Sequence, residues 1–404
     1  MNLKIAFLLA CPLDGAGLTT LIQQLYKCFN AQYDKCDVFV HNGVSQSKIE
    51  IVENDIINKF NYYDEYTELI DIINTYDCMI NISCIFNNKF EQKFFDFLCN
   101  IHIIKGLFLP RRSRMIKTFA KELISDRIVN KYDFLCTFAK ENSNIYNFLK
   151  TKNNNVFSYD FNFYDYANGN FKNLELSKRE NVITYCGRFV QFKGFNKIVN
   201  DAQKLIQDEY IIVAQGGEYR QAKDGRIAGS FTIMCQLCNL PDKTIRDNIN
   251  VHYDYEEYNV EQLSRKFVHL FPSYNKISKN KRLAKSLFSL FPYGYKQKYF
   301  KEQCWSQGLE YTALESIVCG CPIITTKEYG KALLIKGKPL IEYDCGIIFI
   351  DDFADIFPAI KEYSKNYNRN VEKMQKFFYK NYNNIDRIQK FENIIKEIKQ
   401  EKGC

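Results

Sequence analysis

Two successive series of short apolar runs, each run followed by a stretch with helical spacing, constrain this chain more than any other feature. Ile5–Ala10 is continuously apolar, as a parallel strand buried on both faces requires. A turn at Asp14-Gly15-Ala16-Gly17 leads into Leu18–Phe29, where Leu21, Leu25 and Cys28 recur at helical spacing. Strands are predicted at Cys36–Val40, Cys78–Ile82, Ile101–Leu107 and Asp133–Thr137. Helices are predicted between and after them at Glu65–Asn74, Glu91–Cys99, Arg114–Val129 and Glu141–Leu149. A polar stretch rich in Asn and Lys, residues 150–180, breaks the series and reads as a linker. A second series follows, with strands at Val182–Cys186, Tyr210–Gln215, Ile249–Tyr253, Val268–Pro272, Pro322–Thr326 and Gly346–Ile350. Its helices are predicted at Asn196–Ile206, Val260–Lys266, Glu310–Cys319, Asp355–Asn366 and Ile385–Lys399. Such alternation is the pattern of doubly wound α/β domains. At roughly 150 residues per domain, 404 residues allow two or three. The strand order settles on two Rossmann-like domains facing a central cleft, with ligands beyond the carboxyl ends of the strands.

Composition narrows the function classes. A chain that is 46% hydrophobic and 15% aromatic is not intrinsically disordered. Its 15 cysteines are an odd number, and many sit inside apolar runs (Cys78, Cys84, Cys99, Cys136, Cys186, Cys319). They read as small buried hydrophobes in a reducing compartment, the cytoplasm, rather than as a disulfide framework. Cys235-x-x-Cys238 has no second pair at finger spacing, so no metal site is assigned. Four histidines (His41, His102, His252, His269) offer no HExxH and no evident triad. No apolar run approaches the roughly 18 residues of a membrane span, and the apolar N-terminus is too short for a signal peptide and reads as a first strand. The net charge of +8 suits an anionic partner and also an ordinary soluble protein.

Three segments carry candidate chemistry. Gly15-Ala16-Gly17 lets backbone approach an anion at a helix opening, or is simply a tight strand-to-helix turn. GxGxxG is absent, since residue 20 is Thr20. Gly187-Arg188 and Lys193-Gly194 follow the first strand of the second series, where a planar guanidinium and an ammonium can converge on a pyrophosphate; a solvated pair of cations is the alternative. The third segment runs Gly308-Leu-Glu310-Tyr-Thr312-Ala-Leu-Glu315 to Cys319-Gly320-Cys-Pro322. Its two carboxylates can grip sugar hydroxyls, or Thr312-x-x-Glu315 can be a capping box.

Taken together, "GR…KG" opening the second domain and "E…E…CG-P-I" near its end resemble the retaining glycosyltransferases of the GT-B fold. Leu309–Glu315 with Cys319-Gly320, then Pro339-Leu340 and Gly346–Asp351, and upstream Leu283–Ser286 and Gln297–Tyr299, are similar to the donor half of the DNA α-glucosyltransferases of T-even bacteriophages. In the first domain the resemblance is confined to the opening strand and Gly15-Ala-Gly17. It implies a UDP-sugar donor, UDP-glucose, and double-stranded phage DNA carrying a hydroxymethylated pyrimidine as acceptor. It implies donor binding by Gly15, Gly17, Gly187, Arg188, Lys193, Glu310, Glu315 and Gly330, with Arg188, Lys193 and Glu310 as the catalytic set. Arg188 and Lys193 would neutralise the leaving diphosphate, so a divalent cation would at most stimulate and no metal is tightly held. It further implies an acceptor-side domain over 1–170, a donor domain over 171–375, and a helix over 376–404 that crosses back to the first. A monomer is expected, in the host cytoplasm. The family's His-Asp element is missing: residues 105–114 read Lys-Gly-Leu-Phe-Leu-Pro-Arg-Arg-Ser-Arg, and no general base is assigned.

Two basic stretches bear on the acceptor. One holds Arg111, Arg112 and Arg114; the other spans Lys276–Lys301 and includes Lys279, Lys281, Arg282 and Lys285, interleaved with Phe288, Phe291, Tyr293, Tyr295 and Tyr299. With the resemblance, Arg111, Arg112, Arg114, Lys279, Lys281, Arg282, Lys285 and Tyr293 are expected on DNA, cations on phosphates and aromatics on an unstacked, flipped base. Without it, a solvated helix face over core aromatics explains the second stretch. The competing function is a GT-B enzyme acting on a surface polysaccharide or teichoic-acid-type glycan.

Overall fold

The computed structural model of the protein describes residues 3–9, 17–33, 35–42, 56, 59–82, 91–109, 126–165, 175–187, 189, 193–216, 248–252, 259–271, 276–294 and 309–403. The chain divides into two units. The first comprises Met1–Asp165, Lys301–Leu309 and Asn383–Cys404; the second comprises Tyr166–Phe300 and Glu310–Tyr382.

The first unit is built on a sheet of seven strands: β1 (Lys4–Leu9), β2 (Lys35–His41), β3 (Asn61–Tyr63), β4 (Cys78–Ile82), β5 (Ile104–Leu109), β6 (Phe134–Thr137) and β7 (Val156–Ser158). Their order is β3-β2-β1-β4-β5-β6-β7, and every neighbouring pair is parallel. The chain builds outward from β1 to β3, then starts again on the other side of β1 at β4, so the topology switches between β1 and β4. The apolar runs are continuous because both faces are covered: Ile5, Phe7 and Leu8 are fully buried. One face packs Leu8, Met79, Leu107 and Leu135 against Phe94, Phe97, Ile128 and Leu149. The other is aromatic. Phe29, from helix Gly17–Asn30, and Phe108 meet Phe391 at centroid distances of 5.3 and 6.2 Å. Phe391 belongs to the last helix, Asn384–Lys402, which is thus a layer of the first unit.

The second sheet contains β8 (Glu180–Cys186), β9 (Ile211–Gln215), β10 (Ile249–Val251), β11 (Val268–Phe271), β12 (Ser286–Phe291), β13 (Ile323–Thr326) and β16 (Ile348–Ile350). Between the last two, β14 (Leu334–Ile335) and β15 (Lys338–Pro339) form a separate antiparallel pair. The main order is β10-β11-β9-β8-β12-β13-β16, again parallel throughout. Here the switch lies between β8 and β12. Its core joins Ile183, Ile212, Phe288, Leu290 and Ile324 to Phe195, Ile198, Phe353 and Ile360.

Several sequence expectations change. Residues 150–180 are not one linker: Val156–Ser158 adds β7 to the first sheet, and the first unit runs to Asp165. Strand β12 occupies what reads in the sequence as part of a basic, aromatic surface stretch. Phe288 and Phe291 are buried in it, so they pack the sheet and are not a platform for bases. Val260–Lys266 contains a single 3-10 turn, Val260–Gln262. The return of the chain to the first unit comes at Asn383, not at 376. Residues Tyr367–Asn381 form their own helix, held to the second unit by Gln375, whose amide donates to the Ile317 carbonyl at 2.9 Å.

Candidate donor site at the switch of the second sheet

The carboxyl ends of β8 and β12 meet at the topological switch, where open α/β sheets bind ligands. After β8 the backbone N–H of Gly187 donates to Gln215 O at 3.1 Å, and Gly216 N–H donates to Phe271 O at 3.0 Å. This brings the ends of β8, β9 and β11 together. Gly216 has φ of 146°, and a Cβ there would stand 1.9 Å from Gly187 O, so only glycine fits. Lys193 and Gly194 follow. Gly194 has φ of 76°, and a Cβ on it would stand 2.0 Å from the Pro292 carbonyl oxygen, just after β12. Two loops therefore close on each other through glycine backbone, and the helix Phe195–Asn200 starts at once behind Gly194.

Lys193 is held at this seam. Its ammonium lies 3.3 Å from Glu310 Oε2 and 5.7 Å from the ring centroid of Tyr293. Glu310 is the N-cap of helix Tyr311–Val318, with extended backbone and a side chain that does not cap the helix. It points to Lys193 instead. That helix is buried on every side from Thr312 to Val318, so it is a core element that fixes Glu310 at its opening. It ends in a left-handed Gly320 (φ 63°), with Cys321 N–H returning to Ser316 O at 2.8 Å. Thr312 and Glu315 are not a capping box: Glu310 is the cap residue, and Glu315 is 1% exposed in the helix interior.

Glu315 Oε2 accepts from Lys279, on helix Lys276–Lys285; both side chains are almost fully buried. Glu315 Oε1 accepts no hydrogen bond among the described residues. A buried carboxylate oxygen without a donor costs about 1–3 kcal/mol or more. Arg282, one turn beyond Lys279, pairs with Glu180. The expected DNA contacts therefore separate. Lys281 and Lys285 are exposed on the helix. Lys279 and Arg282 turn inward to carboxylates, and Tyr293, 1% exposed, packs edge-to-face on Tyr329 at 5.2 Å. Burial removes Lys279 and Tyr293 from reach of a DNA backbone or base.

Of the remaining expected donor residues, Gly17 is the first residue of helix Gly17–Asn30 in the first unit. Gly330 lies within helix Lys327–Ala332, and a Cβ on it would stand 2.5 Å from the Phe349 ring, so close packing accounts for it. Gly15, Arg111, Arg112, Arg114 and Arg188 lie outside the described residues, as does Cys235-x-x-Cys238. Among the described residues no group of three or more His, Cys, Asp or Glu could hold a metal ion. No helix among them is long and apolar enough to cross a membrane. Cysteines near the site are packing residues: burial pushes the Cys186 thiol up to about 11.

Sequence reasoning missed three supports. Arg179 donates to the carbonyls of Ala284, Ser286, Cys319 and Gly320 at 2.7–3.1 Å, tying the ends of two helices to the start of β12. Gly216 follows an apolar run, Ile211–Gln215, a signal that could have found it. The Lys279–Glu315 pair joins residues 36 apart and has no local signal.

No protein-family model matches the chain, and no curated protein matches it by sequence. Solved structures do. An α-glucosyltransferase in complex with UDP-glucose and DNA containing an abasic site is 20% identical, with a TM-score of 0.77 over 98% of this chain and 99% of that one. The α-glucosyltransferase with UDP and a 13-mer DNA containing an HMU base gives 19% identity and a TM-score of 0.79, over 98% and 99%. HepE of Anabaena in complex with UDP gives 11% and 0.56, over 98% and 100%. At these identities the likeness speaks for architecture, and the architecture of this chain is the GT-B fold, two parallel-sheet α/β domains of seven strands each.

Proposed function

We propose that this protein is a retaining, UDP-glucose-dependent glycosyltransferase that places glucose on a hydroxymethylated pyrimidine of duplex DNA. The observation that carries this reading is the likeness, over almost the whole of both chains, to α-glucosyltransferase bound to UDP-glucose and DNA. The paired Lys193 and Glu310 at the switch of the second sheet agree with it.

In this reading the donor diphosphate lies against the glycine backbone of the Gly187 and Gly194 turns. Lys193, together with Arg188, neutralises the charge that grows on the β-phosphate as the sugar C1–O bond breaks, the preorganised electrostatics that usually form the largest catalytic contribution. Glu310 holds the Lys193 ammonium in place and lies beside the sugar. Glu315 accepts from the ribose hydroxyls through Oε1. The acceptor hydroxyl bonds to C1 on the face the UDP leaves, and its proton passes to the departing phosphate. No histidine base is then needed. Because the cations are the protein's own, chelation of divalent metal leaves transfer largely intact. Exposed Lys281 and Lys285, with Arg111, Arg112 and Arg114, contact DNA phosphates, and the target base, buried in the stack, is flipped out to react.

The test is transfer of label from UDP-[14C]glucose to duplex DNA. Label should appear in DNA containing hydroxymethylcytosine or hydroxymethyluracil and be absent from unmodified DNA. Binding to duplex should weaken steeply with salt, since each neutralised phosphate releases counterions. Consumption of donor with no label in any DNA would refute the DNA reading. The second reading is a UDP-sugar transferase acting on a glycan acceptor; HepE, which shares the fold, is bound to UDP.

A further inference from the structure

The helix Lys276–Lys285 offers a basic face in sequence, yet its Lys279 is 2% exposed and bonded to Glu315. Burying an ammonium and a carboxylate together is seldom favoured over two apolar side chains unless the pair serves another purpose. Half of this pair is unfinished: Oε2 of Glu315 is held by Lys279, and Oε1, equally buried, accepts nothing among the described residues. Glu315 itself cannot turn away, because the helix that carries it is buried from Thr312 to Val318. The two thiols near it, Cys186 and Cys319, are engaged elsewhere, with the Thr184 hydroxyl and the Asn280 carbonyl. An ammonium fixed on one carboxylate oxygen sets the plane and rotamer of the group, so the second oxygen is presented in one direction as an acceptor.

We propose that Lys279 is a positioning residue: it orients Glu315 so that Oε1 accepts a hydroxyl of the donor's ribose, and thereby makes the site select ribonucleotides over deoxyribonucleotides. The inference rests on the UDP-sugar reading of the site and assigns to Lys279 a role in place of DNA contact. Selection matters chemically because an enzyme working on DNA meets deoxynucleotides, and a site whose buried acceptor is left unmatched rejects the ligand lacking the hydroxyl.

The full chain is titrated calorimetrically with UDP, 2′-deoxy-UDP and 3′-deoxy-UDP. Wild type should bind UDP about 10- to 100-fold more tightly than at least one deoxy analogue, the range for a hydrogen bond to a charged group. Glu315→Gln should remove most of that preference, and Lys279→Met should do the same while weakening the deoxy analogue little. A Lys279→Met protein that loses UDP and both analogues equally would overturn the positioning role, as would one that keeps the full ribose preference. If Lys279→Met does not fold, Lys279→Met/Glu315→Gln leaves no unpaired buried charge and is compared with Glu315→Gln. Equal affinities support action through Glu315, and a further loss of threefold or more overturns it. No ribose preference in wild type, or a preference untouched in Glu315→Gln, would instead sink the ribose reading of Glu315 itself.

Discussion

Lys193 and Glu310 form the residue pair on which the proposed chemistry turns. Removing a cation that stabilises a developing charge typically costs about 10²–10³-fold in kcat. Lys193→Ala should lose that much in steady-state transfer assays while its thermal transition stays near wild type; near-normal turnover would remove Lys193 from the catalytic set. Gly216→Ala tests the backbone beneath it. With φ of 146° and a Cβ placed 1.9 Å from Gly187 O, the variant must move the loop after β8. Both denaturant midpoint and UDP affinity should fall. A local reading picks out Lys193, Glu310 and Gly187 because each sits where a periodic run begins or ends. It passes over Lys279. A lysine in a charged helix reads as solvated, and the carboxylate that claims it lies 36 residues downstream.

At the scale of elements, Arg179 is the tie that sequence could not reveal. Its guanidinium serves four carbonyls, from two helix ends and the start of β12, and its burial leaves no water to replace them. Arg179→Ala should destabilise the second unit by several kcal/mol, since each buried carbonyl left without a donor costs about 1–3 kcal/mol, read from urea unfolding of the whole chain. A second prediction concerns β10 and β11. His252 Nε2 and His269 Nδ1 are 2.9 Å apart, and His269 Nε2 faces Ser264 O at 2.8 Å. Burial pushes both imidazoles below their ordinary range, and His269 adds a further lowering to His252. The folded state thus prefers both neutral. Their contribution is present above the ordinary value of 6.5 and is lost as pH falls through the lower folded values. The urea midpoint should decline as pH drops below about 6.5, and His252→Asn should flatten that decline. Strand β12 shows how the sequence misled: cations flank Ser286–Phe291 on both sides, and aromatics beside cations imitate a nucleic-acid surface. Its place between β8 and β13 is a pairing that no local pattern encodes.

For the whole molecule, the two α/β series and their order were legible, because parallel strands covered on both faces leave continuous apolar runs. The division of the chain between units was less so. Helix Asn384–Lys402 covers Phe29 and Phe108 of the first unit through Phe391, so truncation after Tyr382 should expose that aromatic face. Hydrogen exchange should then rise across β1 and β5 first, with the second sheet still protected. The function itself is tested most directly by nucleoside mass analysis. Duplex DNA containing hydroxymethylcytosine is incubated with UDP-glucose and either wild type or Lys193→Ala, then digested. A nucleoside heavier by one hexose, abundant with wild type and scarce with Lys193→Ala, is the expected result. Unchanged hydroxymethyl-2′-deoxycytidine from wild type, under conditions where UDP-glucose is bound, would contradict the account.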